Sequence, residues 1–307
     1  MKAPRLLCVG ALTMDKVYRL PRLPAESGKY LATSAAEVTA GMAASAAIAA
    51  ARLGGEVELW ASLGDDAAGD RLLNGMNSQR VGCRFVRRVP GAASPSATIV
   101  VDDAGERMVI AHYAPEIVAA PSSLPDLASG NFGAVLADAR WVAASDLALN
   151  WARGQGLPAI LDADVAALAD LQQLLPLATH VVASAAGAAI ATRQTDPMVA
   201  LSTLAALSRG FSAVTLGAEG CIWTEGAGAP IVHAAAPRVS VVDSNAAGDV
   251  FHGAFALALA ESMPHTDAIR FASAAAALKC TRLGSAIGAP SRTELSAFMA
   301  QQAHLNG

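Results

Sequence analysis

The chain has 307 residues, 53% of them hydrophobic, with a formal net charge of −4. That length and apolar content suit one large core, and predict a single α/β domain over residues 1–307. The 22 basic residues are scattered rather than clustered, which excludes an electrostatic footprint for nucleic acid or an anionic membrane surface.

In chain order, Leu6-Leu7-Cys8-Val9-Gly10 reads as a first strand, too short for a signal peptide or a membrane span after Met1-Lys2-Ala3-Pro4-Arg5. It empties into a loop that carries one acid, Asp15. Lys16 to Leu20 and Tyr30 to Val38 flank Pro21, Pro24 and Gly28 as a loose antiparallel pair. Ala40-Gly41-Met42-Ala43-Ala44-Ser45 opens a helix that ends at Arg52, with Ala43 to Ala51 too short to cross a bilayer. Ser96 to Val101 and Arg107 to Tyr113 form a hairpin around Asp102-Asp103-Ala104-Gly105. Neither pair can build its own core, so the two are expected to join in one small sheet, a lid of about residues 12–38 and 95–114.

The remaining strands, Val57 to Ala61, Ala134 to Ala137, Ala159 to Leu161, His180 to Val182 and Ala213 to Leu216, alternate with alanine- and leucine-rich helical patterns. Such alternation predicts a mostly parallel sheet with helices on both faces, a three-layer α/β/α sandwich whose ligands sit at the carboxyl ends of the strands. A last helix, Thr293 to Gln302, packs outside. Cys8, Cys83, Cys221 and Cys280 lie far apart without Cys-x-x-Cys spacing, so they suggest no zinc or redox site and read as buried thiols in a reducing cytoplasm.

Chemistry concentrates at Asp243-Ser244-Asn245-Ala246-Ala247-Gly248-Asp249, small residues that end in a carboxylate where a helical pattern begins. Backbone N–H groups at a helix start can dock a phosphate, and a carboxylate beside them can take a proton from an attacking alcohol. Ordinary turns and N-caps use the same residue types. Asp249 is expected to be ionised at the positive helix end, with the amides of Ala246, Ala247 and Gly248 on the transferring group. Gly41 permits close backbone approach to a ligand, Ser45 offers a hydroxyl, and Asp15 can hold sugar hydroxyls, although a glycine-initiated core helix and an exposed turn aspartate explain the same residues.

Together, Asp15, the Gly41 helix, Gly64-Asp65-Asp66-x-x-Gly69, Thr215-Leu216-Gly217-x-x-Gly220 and the motif ending at Asp249 occur in an order that resembles the PfkB, or ribokinase-like, sugar kinases. The resemblance spans almost the whole chain. It implies an ATP-dependent kinase with Asp249 as catalytic base and the sugar under the lid near Asp15 and Gly41. It puts the nucleotide beside Ser184, Thr215, Gly217, Gly220, Asn245 and the helix around Ala274 to Ala277, and a potassium or other monovalent cation by Asp243 and Asn245. The chain departs from the pattern in three places. Ala246 replaces the first glycine of Gly-Ala-Gly-Asp, Ser45 replaces an Asn, and Ser184-Ala185-Ala186-Gly187 replaces Asn-x-x-Glu. The last removes a carboxylate associated with magnesium, which leaves Mg2+ to be held through water and the nucleotide phosphates.

Within the family, Glu26-Ser27-Gly28-Lys29-Tyr30, Val135 to Trp141, Gly248 to Ala254 and Phe271 to Arg282 are similar to the kinases of 6-deoxy-6-sulfofructose, which also lack the Asn-x-x-Glu acid. That similarity implies phosphorylation of a ketose primary hydroxyl to the 1-phosphate, with Lys29 and Arg140 on the sulfonate and His112 in place of an Asn. A fructose or fructose-phosphate kinase, or a catalytically silent sugar- or nucleotide-binding regulator, fits the same residues. Apolar lid strands left uncovered imply a homodimer through the lid.

Overall fold

The computed structural model describes residues 3–305, so Met1, Lys2, Asn306 and Gly307 lie outside the described residues. The strands are β1 (Arg5–Val9), β2 (Thr13–Arg19), β3 (Ser34–Ala40), β4 (Glu56–Trp60), β5 (Ser62–Gly64), β6 (Arg87–Val89), β7 (Ser96–Val101) and β8 (Arg107–His112). They continue with β9 (Ala134–Asp138), β10 (Ala159–Ala163), β11 (His180–Ser184), β12 (Phe211–Thr215), β13 (Cys221–Thr224) and β14 (Val232–Ala234). The α-helices are α1 (Met42–Arg52), α2 (Ala67–Ser78), α3 (Pro115–Val118), α4 (Val142–Gly154), α5 (Leu168–Leu174), α6 (Ala185–Thr192), α7 (Pro197–Leu207), α8 (Ala247–Ala260), α9 (His265–Cys280) and α10 (Arg292–Leu305).

Eight strands form the main sheet in the order β14-β13-β12-β11-β10-β9-β1-β4, parallel from β4 to β12. Strand β1 alternates its side chains between two cores: Leu6 and Cys8 join the layer of α1, α8 and α9, while Leu7 and Val9 join the layer of α4, α6 and α7. Both faces are therefore covered, as the alternation of elements predicts. The strands β13 and β14 add antiparallel, a continuation that the sequence reading does not anticipate.

The chain goes from β1 to β4 on one side and to β9 on the other, so the strand order reverses at β1, the place where open α/β sheets leave a crevice. Helix α8 reaches that crevice by packing tightly on α1. A Cβ at Gly253 would run into the Ala46 carbonyl, so a larger residue there would push the two helices apart.

The two expected antiparallel pairs do merge into one smaller sheet, in the order β3-β2-β7-β8. Its centre is parallel, with β2 alongside β7. Strand β2 begins earlier than expected: Thr13 already pairs with Ala40 and Asp15 with Val38, so Asp15 is a strand residue and is buried, not exposed in a turn. Registers Asp15↔Ala97 and Ala97↔Ala111 place those three residues in one row across the sheet. At the hairpin tip, Asp102 Oδ1 accepts from the N–H groups of Ala104 and Glu106.

Candidate active site

Helix α8 begins with an unusual turn. Ala246 adopts a left-handed conformation, φ 59°, where glycine is favoured, and its carbonyl accepts the first helical bond from Val250 N at 2.9 Å. Ala247 N donates to Ser244 O at 3.2 Å, so this amide is engaged within the turn, contrary to the expectation that it faces a phosphoryl group. The N–H groups of Ala246, Gly248 and Asp249 have no acceptor among the described residues, and space beside Gly248 is open. These are the donors the helix start presents to an anion.

Asp249 lies in the first turn of α8, half-buried, on the wall of a cleft of about 770 Å³. Burial pushes its carboxyl well above the ordinary carboxylate range, and the neighbouring Asp162 carboxylate adds to the shift while His252 opposes it. The sequence reading expects the positive helix end to favour the ionised form; removal from water and a like charge push in the opposite direction. Asp162, at the end of β10, is itself buried and raised well above its usual range by desolvation and by Asp164. Its Oδ1 has no hydrogen-bond partner among the described residues.

On the lid side the cleft is lined by Thr13, Asp15, Ala97, Arg107 and Ala111, and on the helix side by Gly41 and Ser45. Thr13 Oγ1 donates to Asp15 Oδ1 at 2.7 Å, and burial raises the Asp15 carboxyl. Gly41 has φ 105°, and a Cβ there would sit against the Ala11 backbone, so this close approach requires glycine. Arg140 also lines the cleft, and its guanidinium has no hydrogen-bond or ion-pair partner among the described residues. The buried Asp138 fixes that wall: its Oδ2 accepts from Ala11 N at 2.8 Å and Ala43 N at 3.0 Å, and its Oδ1 from Arg140 N at 2.8 Å.

A second cavity, of about 580 Å³, adjoins the first. It is lined by Gly217, Gly220, Ala277 and, unanticipated, the Ala236 to Val239 stretch. Gly217 and Gly220 take positive φ in the tight β12–β13 turn, closed by Leu216 N donating to Gly220 O at 2.7 Å. Thr215, Ser244, Ala247 and Gly248 line both cavities, which therefore meet at the start of α8. Ser184 and Asn245 belong to the first cavity; Ser184 caps α6 and donates to Asp164 Oδ1 at 2.6 Å.

Four expected positions fall elsewhere. Lys29 sits in the exposed loop between β2 and β3 and lines neither cavity. His112 does not line the cleft either, because alternation along β8 gives that wall Arg107, Val109 and Ala111. Ala274 is buried in the core, since its turn of α9 presents Ser273, Ala276 and Ala277 to the second cavity. Asp243 lines neither cavity and is paired with Lys279.

The sequence reading missed Asp162, Asp164, Arg107 and His252. Acids at the carboxyl end of Ala159-Ile160-Leu161-Asp162-Ala163-Asp164 were a legible signal, since ligands bind there. For magnesium, the carboxylates of Asp162, whose Oδ1 accepts no hydrogen bond, and Asp164, both on the cleft wall, fit a divalent cation held through water; no cluster of three or more ligating side chains exists among the described residues.

The chain matches the family model for the pfkB family carbohydrate kinases over residues 3–292. It is 28% identical to the ribokinase of Bacillus subtilis, over 96% of this chain and 99% of that one. The structure of a candidate ribokinase from Agrobacterium tumefaciens superposes with a TM-score of 0.93 at 38% identity, covering 99% of both chains. The Arabidopsis thaliana ribokinase complexed with ribose and ATP shares the fold, with a TM-score of 0.82 at 24% identity over 97% of this chain and 99% of that one. This chain belongs to the pfkB family of carbohydrate kinases.

Proposed function

We propose that this pfkB-family kinase transfers the γ-phosphoryl group of ATP to a primary hydroxyl of a sugar, with Asp249 as the base. The observation that carries the reading is the meeting of two cavities at the start of α8, with Gly248, whose amide is unpaired, on the shared wall and Asp249 beside it facing the larger cleft. ATP fits the cavity at Gly217, Gly220 and Ala277, with its phosphates toward Ser244 and Gly248. The sugar fits the larger cleft, held by Asp15, Gly41 and Ser45 under the small sheet. Asp249 takes the hydroxyl proton as the oxygen attacks, while the N–H groups of Ala246 and Gly248 stabilise charge on the phosphoryl oxygens. Asp162 and Asp164 would hold the magnesium through water, and the ion neutralises phosphate charge when bound.

For the acceptor, the guanidinium of Arg140, with Arg107 on the facing lid strand, favours a sugar with a distal anion, a sulfonate as in 6-deoxy-6-sulfofructose or a phosphate as in fructose 6-phosphate. A neutral pentose is the second reading, supported by the ribokinase names of the relatives. An ADP-release assay across 6-deoxy-6-sulfofructose, fructose 6-phosphate, fructose and ribose tests both. Preference for an anionic ketose supports the first, and preference for ribose supports the second. Zero turnover with every sugar despite ATP binding would favour a silent regulator.

The lid edge supports a homodimer. Strand β8 is exposed along its length, with Met108, Val109 and Ile110 open to water, and an uncovered apolar edge pairs readily with a second copy. Sedimentation showing a monomer at all concentrations would exclude this. No helix among the described residues is long and apolar enough to cross a membrane, and the four cysteines are free thiols, which suits a cytoplasmic enzyme.

A further inference from the structure

The resemblance to the sugar kinases implies a monovalent cation beside Asp243 and Asn245, and the donor set there decides whether one fits. A bound cation needs free oxygens converging on one point. Each of the three oxygens of Asp243 already has a donor. Oδ1 accepts from Asn245 N at 2.9 Å; Oδ2 accepts from Gly284 N at 3.2 Å and Ser285 N at 3.3 Å, and lies 3.2 Å from Lys279 Nζ. The carbonyl oxygen accepts from Lys279 Nζ at 2.7 Å. Asp243 therefore has no oxygen left without a donor for a potassium ion.

Lys279 is 0% exposed, and a buried ammonium is strongly unfavourable unless it is paired and hydrogen-bonded. Asp243 supplies both. The same end of α9 also accepts from the turn: Cys280 O takes Val242 N at 2.8 Å and Asp243 N at 3.1 Å. The chain then continues through Ser244 and Asn245 into the left-handed Ala246 and the unpaired amides of α8.

We infer that Lys279 is a built-in substitute for a monovalent cation: its ammonium neutralises Asp243 and pins the 243–245 turn to the end of α9, so the enzyme works without potassium. An ammonium carries the same single positive charge, delivered on a side chain that cannot dissociate. Lys279 is a positioning residue here, acting on the phosphoryl group only through the turn it holds.

The test uses the full chain in potassium-free buffer, with tetramethylammonium chloride keeping ionic strength constant and thallium(I) as the magnetic-resonance probe of a potassium site. The expected result is no saturable thallium(I) binding, a thermal midpoint indifferent to potassium, and unchanged kcat when potassium is added. Lys279→Met is expected to lose most of its kcat, gain saturable thallium(I) binding and recover part of its turnover in potassium. Saturable thallium(I) binding to the unmodified protein, with a midpoint or kcat that rises in potassium, would overturn the inference, as would a Lys279→Met enzyme fully active without potassium. If that variant does not fold, the binding arm on the unmodified protein still decides. The turnover arm rests on the kinase reading, whereas the binding and thermal arms do not, so failure with every sugar would count against that reading alone.

Discussion

His252 Nε2 stands 3.3 Å from Asp162 Oδ1, with both side chains buried in the wall of the larger cleft. The ring is clamped by two carbonyls, Gly248 O at 2.7 Å from Nδ1 and Val182 O at 3.2 Å from Nε2. One residue turn earlier on the same helix, Asp249 feels the opposing influences of this pair: Asp162 raises its carboxyl and His252 lowers it. The base of the proposed reaction is therefore tuned by its neighbours as well as by burial.

A pH dependence follows. Asp249 must be ionised to accept a proton, and its carboxyl is held well above the ordinary range of about 4. The acid limb of kcat/KM for the sugar is expected to fall off at a higher pH than an unperturbed carboxylate gives. Asp162→Asn removes the like charge and should move that limb to lower pH. A limb that stays in place or moves upward would show that Asp162 does not set the base.

The same shift bears on stability. A carboxyl raised on folding favours the folded state below the ordinary carboxylate range, and that contribution is lost as pH rises through the raised value. At neutral pH, Asp249→Asn is therefore expected to raise the thermal midpoint while it lowers activity. Thermal scans at acidic and neutral pH check this, and the gain should shrink in acid.

Ala246 carries strain that the family's glycine would not. A non-glycine residue in the left-handed region costs roughly 1–2 kcal/mol, and Ala246 holds φ 59°. Ala246→Gly is expected to stabilise the protein by about 1 kcal/mol after the larger entropy of the unfolded glycine is counted. Urea denaturation measures it, and a destabilised variant would contradict the account.

Arg140 and Lys29 should behave differently. Arg140→Ala removes an unpartnered guanidinium from the cleft, so KM for an anionic ketose is expected to rise roughly tenfold or more, the worth of a charge-assisted hydrogen bond. The KM for ATP should stay unchanged. Lys29→Ala, on the exposed loop, should leave both constants near their starting values. Equal effects of the two substitutions would contradict this and put Lys29 in contact with the sugar anion.

Much of this was legible in the sequence because parallel strands announce themselves by length and alternation. The β9 expectation, Ala134 to Ala137, falls one residue short of Ala134–Asp138, and the hairpin around Asp102 lies where its turn residues put it. Local patterns could not reveal side-chain direction. His112 was plausible until β8 assigned the odd-numbered residues to the cleft, and Ala274 until the turn of α9 buried it. Long-range pairs were also hidden: nothing near Asp243 in sequence marks Lys279 as its partner, and only the fold brings Asp162 to His252.

The central claim is that Asp249 serves as base for transfer from ATP to a sugar hydroxyl, and it is tested most directly by measuring phosphosugar formation from labelled ATP with Asp249→Asn beside the unmodified enzyme. The account predicts turnover lowered by roughly 10²-fold or more, with ATP and sugar binding retained. A variant that phosphorylates the sugar at the original rate would contradict it.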